Sequence, residues 1–431
     1  MSITVSNPLP PRGASTTWRV RWMLVALTLG VAVAVFVAGF AFGHFATPGE
    51  GHIAPMITAD QARQFHIFWE AWHKIQQRFY SPTALDPQAM TYGAIHGMVA
   101  SLGDPFASFV EPPEHRLESD TFKGDFGGIG ASLISVDAYP TIVEVYMASP
   151  AEGAGLQVGD RLLSVEGTQV AGLLMEDIVL LVRGPLGSPV QLEVQRASGE
   201  ELALSIVRQR VEMPSLNWQL LAEGIGYVGI QLFSARTGEE LTRAIQELQT
   251  HGVGALVLDL RGNGGGLTGG AIDVLHGLLG HGIAFRELRP GAPEQRHAIP
   301  FGEPLVEWPL AVLVDGGTAS AAEMVAAAIH DYERGVLIGQ RTFGKGSVQA
   351  MYQLSDGSSV HVTVSKWFSA NGYPIDGAGL EPDLVVAPAG AAETEDAYLR
   401  RAVDYLEQQV GHISAGRIAP IKSRDSRKVM V

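Results

Sequence analysis

Apolar side chains recur at steps of three and four between residues 58 and 80. Phe65, Phe68, Trp69, Trp72, Ile75 and Phe79 fall along one side of a helix there. A second helix is predicted over 87–102, ending at the Gly103-Asp104-Pro105 break. From about residue 122 to 210 the texture changes to short β-rich runs bounded by Gly and Pro, at 142–147, 161–167 and 190–196. Residues 175–184 pattern as a helix stopped at Gly184-Pro185. From about 215 to 390 strands at 224–231, 255–262 and 309–317 alternate with helices. One of these, 237–252, is amphipathic with Thr237 as its N-cap, and another covers 319–332. Such alternation predicts an α/β core. A last helix is expected at 394–409, and the basic, polar tail from about 415 to 431 is expected to be loose.

One apolar run is of another kind. Trp22–Gly43 contains no charged residue and, at ~1.5 Å per residue, is long enough to cross a ~30 Å hydrocarbon core. Arg12, Arg19 and Arg21 precede it, and the next Lys or Arg after it is Arg63. The positive-inside rule predicts a disordered cytoplasmic tail at 1–21, a transmembrane anchor at 22–43, and everything after residue 44 outside the cytoplasm. The alternative is a cleaved signal peptide within residues 1–46. The run is longer than a usual signal core, and no clear small-x-small cleavage site follows it.

At 431 residues the chain is long enough for two or three domains. A formal net charge of -15 argues against a nucleic-acid partner, because phosphate binding needs a basic face. The absence of cysteine removes disulfides, thiolate zinc sites and cysteine nucleophiles together. The 13 histidines show no ligand spacing, so no metal and no cofactor is expected.

The candidate chemistry lies in two short stretches. Ser320 follows Gly316-Gly317 and opens the alanine-rich helix, Lys345 stands between Gly344 and Gly346, and Gln349 comes four positions later. Serine needs a base to become a nucleophile, and lysine is a base only when neutral. Phe343 and Val348 provide an apolar setting with no adjacent carboxylate, so burial is expected to lower the Lys345 pKa. Gln349 can orient the amine only if the chain bends at Gly344-Lys345-Gly346, since four residues of straight strand span ~13 Å. An oxyanion hole is expected from the Ala321 amide at the helix start and from Gly265, or its neighbour Gly266, in the loop 261–266. Taken singly, each has a plainer explanation: a helix-start serine, a surface lysine, a phosphate loop. The last lacks the Gly-Lys-Ser/Thr ending of such loops.

Taken together, eight blocks occur in one order between about residues 57 and 390. They include FGGIGASL (126–133), SPAEGAGLQVGDRLLSVEG (149–167), LDLRGNGGGL (258–267), VLVDGGTASAAEM (312–324) and IGQRTFGKGSVQ (338–349). In these the chain resembles the carboxyl-terminal processing peptidases, envelope-associated serine peptidases with a Ser-Lys pair. The resemblance implies a crotonase-like (ββα-superhelix) α/β protease core at 211–390, an inserted PDZ domain at 118–210, an N-terminal helical region at 57–117, and a C-terminal helix and tail at 391–431. It puts the nucleophile on Ser320, the base on Lys345 and the orienting amide on Gln349. Glu323 matches the family acid one turn into the helix. Thr-Ala-Ser-Ala-Ala-Glu stands where the family usually has Ser-Ala-Ser-Ala-Ser-Glu.

PDZ domains bind peptide C-termini by strand addition, with loop amides holding the carboxylate. Phe126, Gly127, Gly128, Ile129 and Gly130 resemble that cradle, and Ile178 and Leu181 on the facing helix are pocket candidates. Arg183, at the helix end, is a candidate for coupling groove occupancy to catalysis. The expectation is a bacterial, single-pass membrane endopeptidase working on the periplasmic or extracellular side. It takes proteins with exposed C-termini as substrates, with segments 58–102 and 394–409 as candidates for a homodimer contact; no adaptor is identified. Two rivals are a non-catalytic PDZ scaffold and a penicillin-binding serine enzyme. The latter needs Ser-x-x-Lys, and position 323 is Glu.

Overall fold

The computed structural model describes residues 58–80, 84–222, 224–387, 396–410 and 429–431, and the expected anchor at 22–43 lies outside them. The chain divides into two units, Met1–Asp86 and Pro87–Val431. In the first, helix Ala59–Arg78 starts at a capping box: Thr58 Oγ1 accepts the Gln61 amide at 3.2 Å and Gln61 Oε1 accepts the Thr58 amide at 3.0 Å. Phe65, Phe68, Trp69 and Trp72 form an aromatic run along it, edge-to-face from each ring to the next. No helix among the described residues is long and apolar enough to cross a membrane.

The second unit is built on a six-stranded sheet. Its order is Leu216–Ala222, Ile225–Ile230, Ala255–Asp259, Leu310–Val314, Val336–Gly339, Leu384–Val385, parallel except for the first pair. Ile225–Ile230, Ala255–Asp259 and Leu310–Val314 are buried at every position. That explains their unbroken apolar sequences, since a parallel sheet is covered on both faces. Helices Thr237–Thr250, Thr268–Leu279 and Ala321–Asp331 contribute to one core cluster. Helix Ala397–Val410 brings Leu399, Ala402, Val403 and Leu406 into the other. Its apolar stripe is thus satisfied within its own chain, which weakens it as a dimer contact.

Thr237 is not the N-cap it was expected to be. It is the first helical residue, and Arg236 holds the cap position. The Thr237 hydroxyl instead accepts the Ser234 amide at 2.8 Å and shares a hydrogen bond with Ser215 Oγ, so it ties down the preceding turn.

A second, five-stranded sheet uses Ser359–Phe368 as its hub, paired with Ser347–Gln353, Ser108–Val110 and Gly282–Leu288. Helix Pro87–Ala100 joins it through Tyr92 and Val99 against Phe109. The third sheet carries Ala131–Val136, Tyr139–Val145, Arg161–Val165, Pro189–Gln195 and Glu201–Val207, and packs on helix Met175–Val182. The strand expected at 142–147 lies at Tyr139–Val145. Asp137 and Ala138 both take positive φ (50° and 64°), giving a two-residue hairpin without the Asn-Gly signal that marks one in sequence.

The tail expectation also fails at its end. Val429 and Met430 pair antiparallel with Leu133 and Ser132 as an added strand, and Val431 is fully buried. Residues 415–428 of that tail are outside the described segments.

Phe233 is fully buried, and its backbone bonds Gly265 O and the Leu267 amide at 2.9 and 2.7 Å. Phe233→Ala is expected to cost about 3–5 kcal/mol, visible as a lowered midpoint of the core's thermal transition.

Candidate active site

Ser320 stands just before helix Ala321–Asp331 with φ 56° and ψ -118°, a conformation that non-glycine residues rarely adopt. Such strain costs about 1–3 kcal/mol and persists only where neighbours impose it. The principal one is Glu323, which is fully buried. Its Oε2 accepts the Ser320 amide at 3.0 Å and the Lys345 amide at 2.9 Å, while Oε1 accepts the Gly344 amide at 2.7 Å and the Thr342 hydroxyl. One carboxylate thus ties the serine's backbone to the lysine's.

The loop 261–266 approaches from the end of Ala255–Asp259. Arg261 spans Asp259 (2.6 Å) and Asp396 (2.8 Å) and is held in its charged form by both, against the cost of burial. Asn263, fully buried, donates to Ile230 O at 2.9 Å, and its carbonyl accepts the Ala319 amide at 2.9 Å. This brings Gly265 so close that a Cβ there would lie 2.8 Å from Ser320 Cβ, so only glycine fits. The expected oxyanion donor at Gly265 is engaged, however: its amide donates to Asn263 Oδ1 at 2.8 Å. Among the described residues the amides of Gly266 and Ala321 have no acceptor within the protein.

Lys345 lies in the same cavity as Ser320, a space of about 500 Å³ bounded also by Gly265, Gly266, Met324, Gln349 and His361. Its Nζ donates to Gln349 Oε1 at 3.1 Å and sits 4.7 Å from the Phe106 ring centroid. Gln349 Nε2 is tied in turn to Phe106 O. At the bend Gly344 takes φ 87°, and where the register shifts between Val348 and Gln349 the extra residue is Val364 on the partner strand Ser359–Phe368. Burial pushes the Lys345 ammonium below the ordinary lysine range, with Asp104 pulling the other way.

Two details differ from expectation. The apolar partner is Phe106 rather than Phe343, which is 56% exposed, and the carboxylate absent next to Lys345 in sequence is supplied by Asp104. Both come from a segment more than two hundred positions away. Glu118 and His361 also border the cavity, and with His115 they bring potential ligand atoms within 4.8 Å of one another. No spacing in the sequence announces that cluster, because helix Pro112–Lys123 and strand Ser359–Phe368 meet only in the fold. Ser320 and Lys345 form no hydrogen bond to each other in this structure; such contacts commonly close only on substrate. A larger cavity, about 650 Å³, is lined by Trp308, Arg334 and Asp383 and contains none of these groups.

In the inserted domain Phe126, Gly127 and Gly128 form a strand paired with Gln209–Glu212, followed by buried Ile129. The amides of Gly130 and Ala131 point at one acceptor, Val431 O, at 2.8 and 3.1 Å. Ile178 is fully buried in this domain's core and Leu181 packs against it. The Arg183 guanidinium lies 3.5 Å from the Phe126 ring centroid.

A strained serine and a half-buried lysine line one cavity, an arrangement that suits a serine-type peptidase. Comparison agrees. Residues 224–386 match peptidase family S41 and residues 141–196 match the PDZ domain. The carboxy-terminal processing protease CtpA of Bacillus subtilis is 37% identical over 317 residues, 73% of this chain and 67% of that protein. The carboxy-terminal-processing protease of Bartonella bacilliformis is 32% identical, over 75% of each chain, and its counterpart in Synechocystis is 33% identical, over 73% of this chain and 75% of that one. The chain belongs to the carboxy-terminal processing proteases of peptidase family S41.

Glu323→Gln keeps the shape but turns an acceptor into a donor facing amide N–H groups. It is expected to cost about 1–3 kcal/mol in urea unfolding; an unchanged midpoint removes the strap role.

Proposed function

We propose that the chain is a PDZ-gated serine endopeptidase in which Ser320 attacks the scissile carbonyl and neutral Lys345 takes the hydroxyl proton, then returns it to the leaving amine. The observation that carries this reading is the setting of one amine. Lys345 Nζ is half-buried, held by Gln349 Oε1 and backed by the Phe106 ring, in the cavity that Ser320 also lines. A useful base at neutral pH lies ~3 pH units below free lysine, worth about 4 kcal/mol, and burial acts in that direction. Gln349 carries no proton and serves to aim the amine. The oxyanion is received by the Ala321 amide at the helix start and by the glycine turn. Gly266 offers a free N–H there, whereas Gly265 must first release Asn263.

Residues 22–43 anchor the enzyme in a bacterial membrane with residues beyond 44 outside the cytoplasm, supported by the uncharged run and the arginines before it. Substrates are proteins with exposed, apolar C-termini that engage the PDZ groove. Arg183 reports groove occupancy. It touches Phe126 and acts electrostatically on Asp120 of helix Pro112–Lys123, whose Glu118 and Phe122 border the catalytic cavity.

Ser320→Ala and Lys345→Ala are each expected to lower kcat for a reporter peptide by roughly 10³-fold or more. A fluorophosphonate probe should label Ser320 in the unchanged chain; a scaffold without catalysis would stay unlabelled. Full activity of Lys345→Ala would refute the base assignment.

The rate should climb with pH as Lys345 loses its proton. Asp104→Asn removes the carboxylate that favours the ammonium, so the rising limb should move to lower pH. A limb that stays put removes Asp104 from the account.

Arg183→Ala should abolish stimulation of cleavage by a groove-binding peptide. Stimulation equal to that of the unchanged chain rules out the coupling role.

A further inference from the structure

The PDZ groove is already filled by this chain. Residues Val429 and Met430 pair antiparallel with Leu133 and Ser132, and the Val431 amide donates to Ala131 O at 2.8 Å. Val431 O accepts from Gly130 and Ala131, the amides of the carboxylate cradle. The Val431 side chain is fully buried in the domain core with Ile129, Ile178 and Val182. Met430 occupies a separate apolar seat with Phe126 and Val211. Arg183 Nη2 donates to Met430 O at 2.8 Å. A side chain at Gly128 would come within 3.0 Å of the Val431 carbonyl carbon, so the cradle is open to the occupant only because glycine stands there. Strand pairing, cradle and two apolar seats are all engaged by three residues.

We infer that Val429–Val431 is a built-in ligand of the chain's own groove, and that substrate C-termini must displace it to dock. The inference rests on the groove being the peptide site of the PDZ domain. It goes further in naming the competitor and its chemistry: a small branched apolar residue, Val431, preceded by methionine. Residues 411–428 tether this segment to helix Ala397–Val410. A ligand carried on the same chain competes without being diluted, at an effective concentration set by its connection. A free peptide of similar affinity for the empty groove is therefore masked by roughly tenfold or more.

The test uses a fluorescent peptide of residues 421–431 with a free carboxylate, and its C-terminal amide as control. Binding is measured by anisotropy to the Ser320→Ala chain with residues 429–431 present or deleted. Deletion should tighten binding of the free-carboxylate peptide by tenfold or more, with the amide binding weakly to both. Equal affinity for the two chains overturns the built-in ligand while leaving the groove as a peptide site. No binding to either, with the deleted chain folded by circular dichroism, overturns the groove reading itself. Masking that vanishes on dilution assigns the occupant to a second copy and overturns the intramolecular form. A measurement without any deletion guards against a misfolded variant. Hydrogen exchange of the unaltered Ser320→Ala chain should show Gly130 and Ala131 protected without added peptide, and rapid exchange at both overturns the inference.

Discussion

The Glu323 carboxylate is the constraint on which the geometry of the candidate site depends. It carries no chemistry of its own, yet its two oxygens hold the backbone on either side of the cavity: Ser320 at the head of its helix, and Gly344 and Lys345 in the approach to the second sheet. A buried carboxylate surrounded by N–H donors is far costlier to leave unmatched than a neutral group. The four donors therefore fix one another through it. The unusual dihedrals of Ser320 follow from this arrangement, because the chain must turn sharply to present both its amide to Glu323 and its hydroxyl to the cavity. Trp367 Nε1, donating to Lys345 O at 2.9 Å, pins the lysine backbone from a third direction.

The inserted domain obeys a different logic. Its groove strand would be a sheet edge without Val429–Val431, and an edge with unpaired amides invites another strand. Here the invitation is accepted by Val429–Val431, so the edge, the cradle at Gly130 and the pocket around Ile178 are satisfied within one chain. Arg183 joins the occupant's backbone to Phe126, on the strand that follows helix Pro112–Lys123. Groove and cavity are therefore neighbours through a single short element.

What was legible in the sequence was local. The serine after a glycine pair, the lysine between glycines, the glutamine and the loop 261–266 each sit in a short stretch whose conformation is set by nearby glycines and a buried strand. The alternating strands and helices of the core showed for the same reason: a parallel sheet covered on both faces leaves continuous apolar runs. What stayed hidden was made by distant segments. Phe106 and Asp104 reach Lys345, and His361 reaches Glu118, across separations that no periodicity records. Thr237 shows the limit of local rules. It has the composition of a cap, but a turn anchored by Ser215 and Ser234 claims its hydroxyl. Val429-Met430-Val431 was read as part of a basic, loose tail, because its partner is a strand nearly three hundred residues earlier.

The irregularity between Val348 and Gln349 has a consequence of its own. Val348 pairs with Ser365 and Gln349 with Thr363, so the extra residue is Val364, on Ser359–Phe368. Side chains along a strand alternate between its two faces, and one extra residue inverts that alternation from there onward. With the bulge in place His361 comes to the side of Gln349 and Met351, and all three border the cavity. A regular ladder would turn the imidazole to the opposite face, so the parity of this wall comes down to a single unpaired residue.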